Sequence, residues 1–326
     1  MPDTHDLAIH ATGRPPVAGR EGPPFLVIAR GASRLADRER REPLVAATIA
    51  AIRARWEVDP EVLTTASAAE GSAAAAAAVA AGARLVVVAG GDGSIRTAAA
   101  VLAGTGIPLG VVPAGTGNLL AAALGIPRTP GRAVAMLAAA RVRPIDMGLA
   151  TLSEGAEATP FIVAAGVGFD ARVMVATTER RKSTLGVAAY FATAASVATR
   201  MRPFAVRLVV DGAIHETDAL AVLVANAGEL VPGLLRPRLP LVPDDGLLDV
   251  LVARGRGVLG GSRAAVELIL GRGIHTAIGP YATRFVGRRV EVTTDAPEPV
   301  EIDGDVVGSG AIAAVVQPGA LLVLAP

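Results

Sequence analysis

Cysteine is absent from this chain of 326 residues, and lysine occurs only once, at Lys182. The lack of cysteine excludes disulfides, thiolate metal sites and cysteine nucleophiles. Lys182 follows Arg181 and not a glycine-rich turn, so a Walker-type phosphate loop, which needs a lysine after its glycines, is excluded as well. Any phosphate site in this protein must therefore be built from backbone amides.

A large excess of charge is also missing, as are long apolar runs. The net charge is +1, so no broad electrostatic field favours nucleic acid, which we do not expect as a partner. Two uncharged stretches fail as membrane spans, because 97–127 is broken by glycines and prolines and 185–199 is about five residues too short. We therefore predict a cytoplasmic protein without a transmembrane segment.

Strand and helix patterns alternate through the first half of the chain. Residues 25–29 form a buried strand pattern, and a helix is predicted to begin at Pro43, because proline suits a first helical turn. Ser67 and Glu70 have the spacing of a capping box at the start of a second helix. Such alternation predicts a parallel sheet that is covered by helices on both faces.

The pattern changes after about residue 147 to strands in hairpin-like succession, which is typical of an antiparallel sandwich. The predicted fold class is thus an N-terminal parallel-sheet α/β domain followed by a mostly antiparallel β-sandwich domain. We expect a disordered tail over 1–24, the first domain over 25–147 and the second domain over 148–326. An alternative boundary assigns the last strand to the first domain, to which the chain would return.

Two glycine-rich turns follow consecutive strands. The first, GGDGS, lies where free amides and the positive end of a helix favour a phosphate. By itself this motif is equally compatible with a plain tight turn. A second glycine turn, PAGTGN, follows the next strand, and two such turns at consecutive strand ends are less expected by chance than one. An acid in such a turn is useful when a divalent cation accompanies the phosphate. The predicted nucleotide-binding residues are Gly90, Gly91, Asp92, Gly93, Ser94, Gly115, Thr116, Gly117 and Asn118.

Further motifs continue in a recognisable order. They are RPIDMG (143–148), GVGFDARV (166–173), STLGVAAYF (183–191), PDDGLLDVLV (243–252) and VEIDGDVVG (300–308). With the two glycine turns, they resemble the diacylglycerol kinase catalytic-domain family, which includes bacterial lipid kinases and the sphingosine kinases. The resemblance covers 25–326, and it implies that 25–147 is the nucleotide-binding domain and 148–326 the lipid-substrate domain.

The resemblance implies a lipid kinase that uses ATP and Mg²⁺ and transfers the γ-phosphoryl group to a lipid hydroxyl. Diacylglycerol is the favoured acceptor, giving phosphatidic acid, and a sphingoid base or another lipid alcohol is the alternative. Asp303 would be the catalytic carboxylate, with Asp305 in the same motif, although IDGD alone also fits a hairpin. Asp92 and Asp146 would belong to a magnesium and water network, and Asp245 would hold a structural metal, although DDG alone also reads as a turn.

The chain also departs from the family pattern. Ala29 stands where a nucleotide-binding turn usually opens, Arg96 and Thr97 replace asparagine and glutamate, and Leu119 replaces aspartate. Asp305 replaces glutamate and is one methylene shorter. These changes leave open the alternative of a regulator that binds nucleotide or lipid without catalysis. A further alternative is a kinase similar to the NAD kinases or phosphofructokinases, because those enzymes share GGDG.

The partners implied are ATP and a lipid. The protein would reach the lipid by transient peripheral contact with the inner face of the membrane. Residues 185–199 are a candidate wall of the lipid pocket. A homodimer is one option for the oligomeric state.

Overall fold

The computed structural model describes residues 21–32, 34–152, 156–168, 171–172, 202–228, 241–255, 260, 263–264, 267 and 280–326. The predicted pocket wall at 185–199 and all but the last four residues of the predicted tail lie outside this part of the chain. Within the described residues, every helix is too short or too polar to cross a membrane.

The first half of the chain forms four parallel strands in the order β2-β1-β3-β4. These strands are β1 (Gly22–Ala29), β2 (Glu61–Thr65), β3 (Ala83–Gly90) and β4 (Leu109–Pro113). The helices are α1 (Arg38–Trp56), α2 (Ala68–Ala80), α3 (Asp92–Leu102), α4 (Leu119–Ala123) and α5 (Pro130–Leu137).

Alternation along the strands places apolar side chains on both faces of this sheet. Phe25 and Val27 of β1 belong to one buried cluster, which includes residues of α2 and α3. Leu26 and Ile28 belong to another, which includes residues of α1 and α5. Because successive side chains of a strand point to opposite faces, an uninterrupted apolar strand requires cover on both sides.

The first two helices differ in how well their starts could be predicted. Helix α2 follows Ser67, whose hydroxyl accepts a hydrogen bond from the Glu70 amide at 3.2 Å, so the predicted cap is confirmed. The predicted start of the first helix at Pro43 is wrong, because α1 begins at Arg38 after an Asp37 cap. Pro43 lies inside that helix, where its missing N–H affects only the carbonyl of the exposed Glu39.

The described residues of the second half form twelve strands. They are β5 (Arg141–Thr151), β6 (Thr159–Phe161), β7 (Ala164–Gly168), β8 (Phe204–Val210), β9 (Ala213–Ala219), β10 (Ala221–Ala225), β11 (Leu248–Ala253), β12 (Ala282–Gly287), β13 (Arg289–Thr294), β14 (Pro299–Ile302), β15 (Asp305–Ser309) and β16 (Ile312–Ala325). Six of them form an antiparallel sheet in the order β12-β11-β10-β7-β14-β15. The predicted class, an α/β half followed by an antiparallel β half, is confirmed.

Strand β16 connects the two halves. It pairs in parallel with β4 and antiparallel with β5 and β13, so the first sheet extends to ten strands. A cluster of buried residues, including Val167, Val250, Leu208 and Ile312, fills the space between this extension and the six-stranded sheet. The glycine turns at the ends of β3 and β4 are thereby carried on the same sheet as six strands of the second half.

Candidate nucleotide-binding and catalytic site

The two predicted glycine turns contact each other backbone to backbone. Strands β3 and β4 are neighbours, with Gly90 paired to Pro113, so both turns leave the same edge of the sheet. The Ala114 amide donates to the Gly90 carbonyl at 2.8 Å. A Cβ built on Gly115 would lie 2.7 Å from the Cα of Gly91, so only glycine permits this approach.

Substitution of Gly115 by alanine is therefore expected to separate the turns. The added methyl meets backbone and not a flexible side chain, and overpacking of this kind typically costs about 1–3 kcal/mol. We expect a lower free energy of unfolding in urea and a weaker affinity for ATP, measured by calorimetry. Gly93→Ala is a matched control for stability, because a Cβ at Gly93 meets no atom of the structure within 4 Å.

The side chain of Asn118 closes the second turn. Its Oδ1 accepts from the Gly115 amide and its Nδ2 donates to the Gly115 carbonyl, both at 3.0 Å. Asn118 has a left-handed φ of 52° and is buried. Both polar groups of this side chain are thus engaged within the turn. Its nucleotide contact stays a prediction, and its role in the structure is to shape the turn.

Asp92 links the first turn to the second. Its Oδ1 accepts a long hydrogen bond from the Leu120 amide at 3.4 Å, and a Cβ on Gly117 would lie 3.0 Å from its Oδ2. Burial raises the pKa of Asp92 above its ordinary value, while the amides of Leu120, Leu119 and Asn118 and the charge of Arg128 oppose the rise. This carboxylate therefore faces the backbone of the second turn.

The first turn of α3 presents backbone amides. The first amides of an α-helix lack acceptors within the helix, and no described side chain caps α3 at Gly91. The Ile95 amide already bonds to the Gly91 carbonyl, which leaves the amides of residues 92–94 as candidates. The empty space beside Gly93 would admit an oxygen atom. These are the donors that the first glycine turn was predicted to supply.

A basic side chain also lies at this edge and was missed by the sequence analysis. Arg128, in the segment after α4, donates from Nη2 to the Gly117 carbonyl at 2.7 Å. Arg128 belongs to none of the recognised sequence motifs, and only the fold brings it to the PAGTGN turn.

Asp303 and Gly304 form the two-residue turn of the β14–β15 hairpin. Both have left-handed φ values, 47° and 86°, and Ile302 pairs with Asp305. Aspartate followed by glycine is a preferred sequence for such a turn. The alternative that IDGD forms a hairpin is therefore correct, whatever further role its carboxylates have.

The carboxylate of Asp303 is occupied by backbone donors. Its Oδ2 accepts from the Ile162 amide at 3.0 Å, and its Oδ1 accepts from the amides of Val163 and Ala164 at 2.9 and 3.0 Å. Burial raises the pKa of Asp303, and these three hydrogen bonds oppose the rise. The side chain thus holds the hairpin against the segment between β6 and β7.

Asp305 lies on the other side of the turn and contacts α3 through Arg96. The Arg96 Nη1 donates to the Ile302 carbonyl at 2.8 Å, and Nη2 lies 2.5 Å from Asp305 Oδ2. The Asp305 side chain is 60% exposed and that of Arg96 only 21%. Two motifs 209 residues apart in sequence are thereby brought together. In the sequence Arg96 was visible only as a departure from the family pattern.

Asp146, a predicted metal ligand, joins three backbone segments. Its Oδ1 accepts from the Gly319 amide at 2.7 Å and its Oδ2 from the Gly246 amide at 2.6 Å. Its own amide donates to the Pro243 carbonyl. Since both oxygens have backbone donors, the structure gives Asp146 a role in holding β16 and the 243–246 turn against β5. Its magnesium role stays a prediction.

Asp245 lies in the same turn and is the more open of these two carboxylates. Its Oδ1 accepts from the Leu247 amide at 3.0 Å. Burial and the negative charges of Asp249 and Asp146 raise the pKa of Asp245, against the Leu247 hydrogen bond and Arg284. Among the described residues, no three acidic or histidine side chains are grouped to hold a metal. The predicted roles of Asp92 and Asp146 in a magnesium and water network, and of Asp245 in holding a separate structural metal, stay predictions.

Two family models divide the chain between them. Residues 36–150 match the model described as the diacylglycerol kinase catalytic domain. Residues 162–325 match the model described as the YegS C-terminal NAD kinase beta sandwich-like domain. The chain belongs to the diacylglycerol kinase and YegS-like lipid kinase family. This confirms the family that the motifs had indicated.

Curated relatives of this family member differ in how much of their length is matched. A probable lipid kinase YegS-like of Stenotrophomonas maltophilia (strain K279a) is 31% identical over 229 residues, 68% of this chain and 72% of the relative. The diacylglycerol kinase of Mycobacterium tuberculosis (strain ATCC 25618 / H37Rv) is 35% identical over 175 residues, 52% of this chain and 54% of the relative. An uncharacterized Synechocystis protein (strain ATCC 27184 / PCC 6803 / Kazusa) is 29% identical over 245 residues, and the match spans 74% of this chain but only 54% of that relative.

The fold of this family member is also found in a solved structure. A crystal structure of a diacylglycerol kinase from Bacillus anthracis str. Sterne superposes with a TM-score of 0.69 at 18% identity. The superposition covers 94% of this chain and 97% of that one. At this identity the likeness concerns the fold.

Proposed function

We propose that this protein transfers the γ-phosphoryl group of ATP to the hydroxyl group of a membrane lipid, with diacylglycerol as the favoured acceptor and phosphatidic acid as the product. The observation that carries the proposal is the contact between the β14–β15 hairpin and α3. It joins an exposed carboxylate, Asp305, to the helix whose first-turn amides are open. Phosphoryl transfer needs these two parts, a cradle for the phosphates and a proton acceptor for the nucleophile.

The nucleotide would be held at the two glycine turns. The amides of residues 92–94 can donate to phosphate oxygens with the help of the helix dipole. Gly91 and Gly115 allow the two turns to approach closely enough to form one surface. No lysine lies among the described residues, so the backbone and arginines such as Arg128 would supply the positive potential there.

Magnesium fits this site as an ion that accompanies the nucleotide. Carboxylate and phosphate oxygens are its preferred ligands, and such sites commonly use one or two carboxylates with substrate phosphates. Asp92 lies between the two turns with partly engaged oxygens, so it is the carboxylate proposed to hold the ion. When bound, the ion would neutralise charge on the phosphates.

Asp305 is the better candidate for the proton acceptor than Asp303. The Asp303 carboxylate is buried and accepts three backbone hydrogen bonds, so a lipid hydroxyl would have to displace one of them. Asp305 is accessible and has one oxygen, Oδ2, at Arg96. In the proposed reaction the lipid hydroxyl gives its proton to Asp305, its oxygen bonds to the γ-phosphorus, and the bond to the β-phosphate oxygen breaks to release ADP.

Diacylglycerol is proposed because the related mycobacterial protein carries that name and because the family includes such kinases. A membrane lipid as acceptor requires the protein to work at a membrane surface. We therefore propose a cytoplasmic protein that visits the inner face of the membrane. Homodimer formation stays a prediction.

The test is transfer of label from γ-labelled ATP in the presence of Mg²⁺. The purified full chain is incubated with mixed micelles that contain diacylglycerol, a sphingoid base or a monoacylglycerol, and products are identified by mass. We expect phosphatidic acid as the fastest product. NAD and fructose 6-phosphate serve as acceptors for the two soluble-substrate alternatives. ATP binding without transfer to any acceptor would instead favour a regulator that lacks catalysis.

A further inference from the structure

The proposed reaction uses the contact between the β14–β15 hairpin and α3 only because it brings Asp305 to the helix, and it assigns no role to Arg96 itself. The guanidinium group reaches two acceptors on that hairpin, the Ile302 carbonyl and the Asp305 carboxylate. Both acceptors flank the Asp303–Gly304 turn. The arginine comes from the α/β half of the chain and its acceptors from the β half.

The direction of a helical side chain explains where this contact lies. Side chains in a helix tilt toward its N-terminus, so Arg96, in the second turn of α3, directs its guanidinium alongside the first turn. The first turn is where the amides of residues 92–94 are open. Because Arg96 bonds to Asp305, this direction of the side chain places the Asp305 carboxylate toward the N-terminal end of α3.

We propose that Arg96 is a positioning residue, which holds the Asp305 carboxylate beside the phosphate cradle by bonding to both sides of the hairpin turn. The inference rests on the proposed function, since it assigns to Arg96 the alignment of the group that accepts the proton. A planar guanidinium fork is suited to this role, because its donors have a fixed geometry and can serve two acceptors at once. A lysine has a single ammonium group and cannot reproduce that fork.

The exposure of Asp305 indicates that the pair contributes more to alignment than to stability. Asp305 is 60% exposed and Arg96 21%, and an ion pair with one partner in solvent contributes less to folding stability than a fully buried pair. Alignment, in contrast, has a large effect on rate, because misplacing a reacting group by about 1 Å can cost about 100-fold. Loss of Arg96 should therefore lower kcat much more than it lowers thermal stability.

The experiment compares Arg96→Ala, Arg96→Lys, Asp305→Asn and the Arg96→Ala/Asp305→Asn double variant in the full chain. We expect Arg96→Ala to lower kcat about 10- to 100-fold, with KM for ATP within about 3-fold and the melting temperature nearly unchanged. Arg96→Lys should recover part of the loss, because it restores the charge beside Asp305 but not both hydrogen bonds. In the double variant the two losses should not add, because Arg96 acts through Asp305.

Arg53→Ala is the matched control. Arg53 forms a 2.6 Å ion pair with Asp59 on the surface of α1, away from both glycine turns, and its loss should leave kcat unchanged. Three results would overturn the inference. They are an Arg96→Ala variant whose defect is confined to KM for ATP, one that loses stability but keeps kcat per folded molecule, and additive losses in the double variant.

Hydrogen exchange separates this inference from the proposed function. Peptides covering 299–309 should exchange faster in Arg96→Ala than in the wild type or in Arg53→Ala, whether or not the protein is active. If the wild type transfers no phosphoryl group but Arg96→Ala exchanges faster over 299–309, the proposed function fails while the contact between Arg96 and the hairpin stands. If the wild type is active but Arg96→Ala changes neither kcat nor exchange, the inference fails alone.

Discussion

Asparagine in place of Asp305 is expected to lower kcat about 10³-fold, within the range of about 10²- to 10⁴-fold that a positioned general base contributes. Asparagine has nearly the same shape and keeps an oxygen that can accept from Arg96, so the hairpin should stay in place. What it loses is the negative charge and the ability to take a proton at neutral pH. The loss should therefore appear in turnover and not in folding.

Steady-state kinetics with γ-labelled ATP and lipid micelles test this expectation. KM for ATP should change by no more than a few-fold, and the melting temperature by little, because the Asp305 side chain is largely exposed. Turnover of Asp305→Asn close to that of the wild type would show that another group accepts the proton. Arg53→Ala, which removes one charge of an exposed ion pair, controls for the loss of surface charge.

Alanine in place of Asp303 is expected to have its largest effect on stability. Three backbone amides, those of Ile162, Val163 and Ala164, would lose their acceptor. Each unsatisfied buried donor costs about 1–3 kcal/mol, so the free energy of unfolding should fall by about 3 kcal/mol or more. The left-handed φ of 47° adds to this loss, because alanine is strained there.

Asparagine at the same position offers a graded comparison, since Asp303→Asn keeps an oxygen that can accept from Val163 and Ala164. Its amide nitrogen would face the Ile162 amide, donor against donor, so we expect about 1–3 kcal/mol of destabilisation. Urea unfolding of both variants gives the two values. Turnover per folded molecule of Asp303→Asn should remain within about ten-fold of the wild type, because Asp303 does not accept the proton in the proposed reaction. If Asp303→Asn folds like the wild type but loses as much turnover as Asp305→Asn, then Asp303 is the proton acceptor.

Local features of the sequence predicted local structure well where a short-range contact decides it. Ser67 and Glu70 lie three positions apart, and their hydrogen bond at the start of α2 needs nothing from the rest of the molecule. The Asp303–Gly304 hairpin is similar, because left-handed backbone at both positions favours this residue pair. The start of α1 was predicted wrongly because the Asp37 cap outweighed the preference of Pro43 for a first turn.

The roles of the acidic side chains could not be predicted in the same way. A sequence shows which carboxylates exist, but not which backbone amides surround them. Asp146 receives its donors from Gly246 and Gly319, far along the chain. Asp303 receives its donors from a segment about as distant. The catalytic and metal roles of these residues therefore remain predictions.

The sequence alone determined the family, the order of an α/β half and a β half, and the two glycine turns, because these depend on residue type and spacing along the chain. Only the tertiary structure decided how the parts meet. Strand β16 returns to β4, the turns pack through Gly91 and Gly115, and Arg96 reaches Asp305 across the two halves. Contacts between residues about 200 positions apart depend on the packing of whole sheets, and no local pattern encodes them.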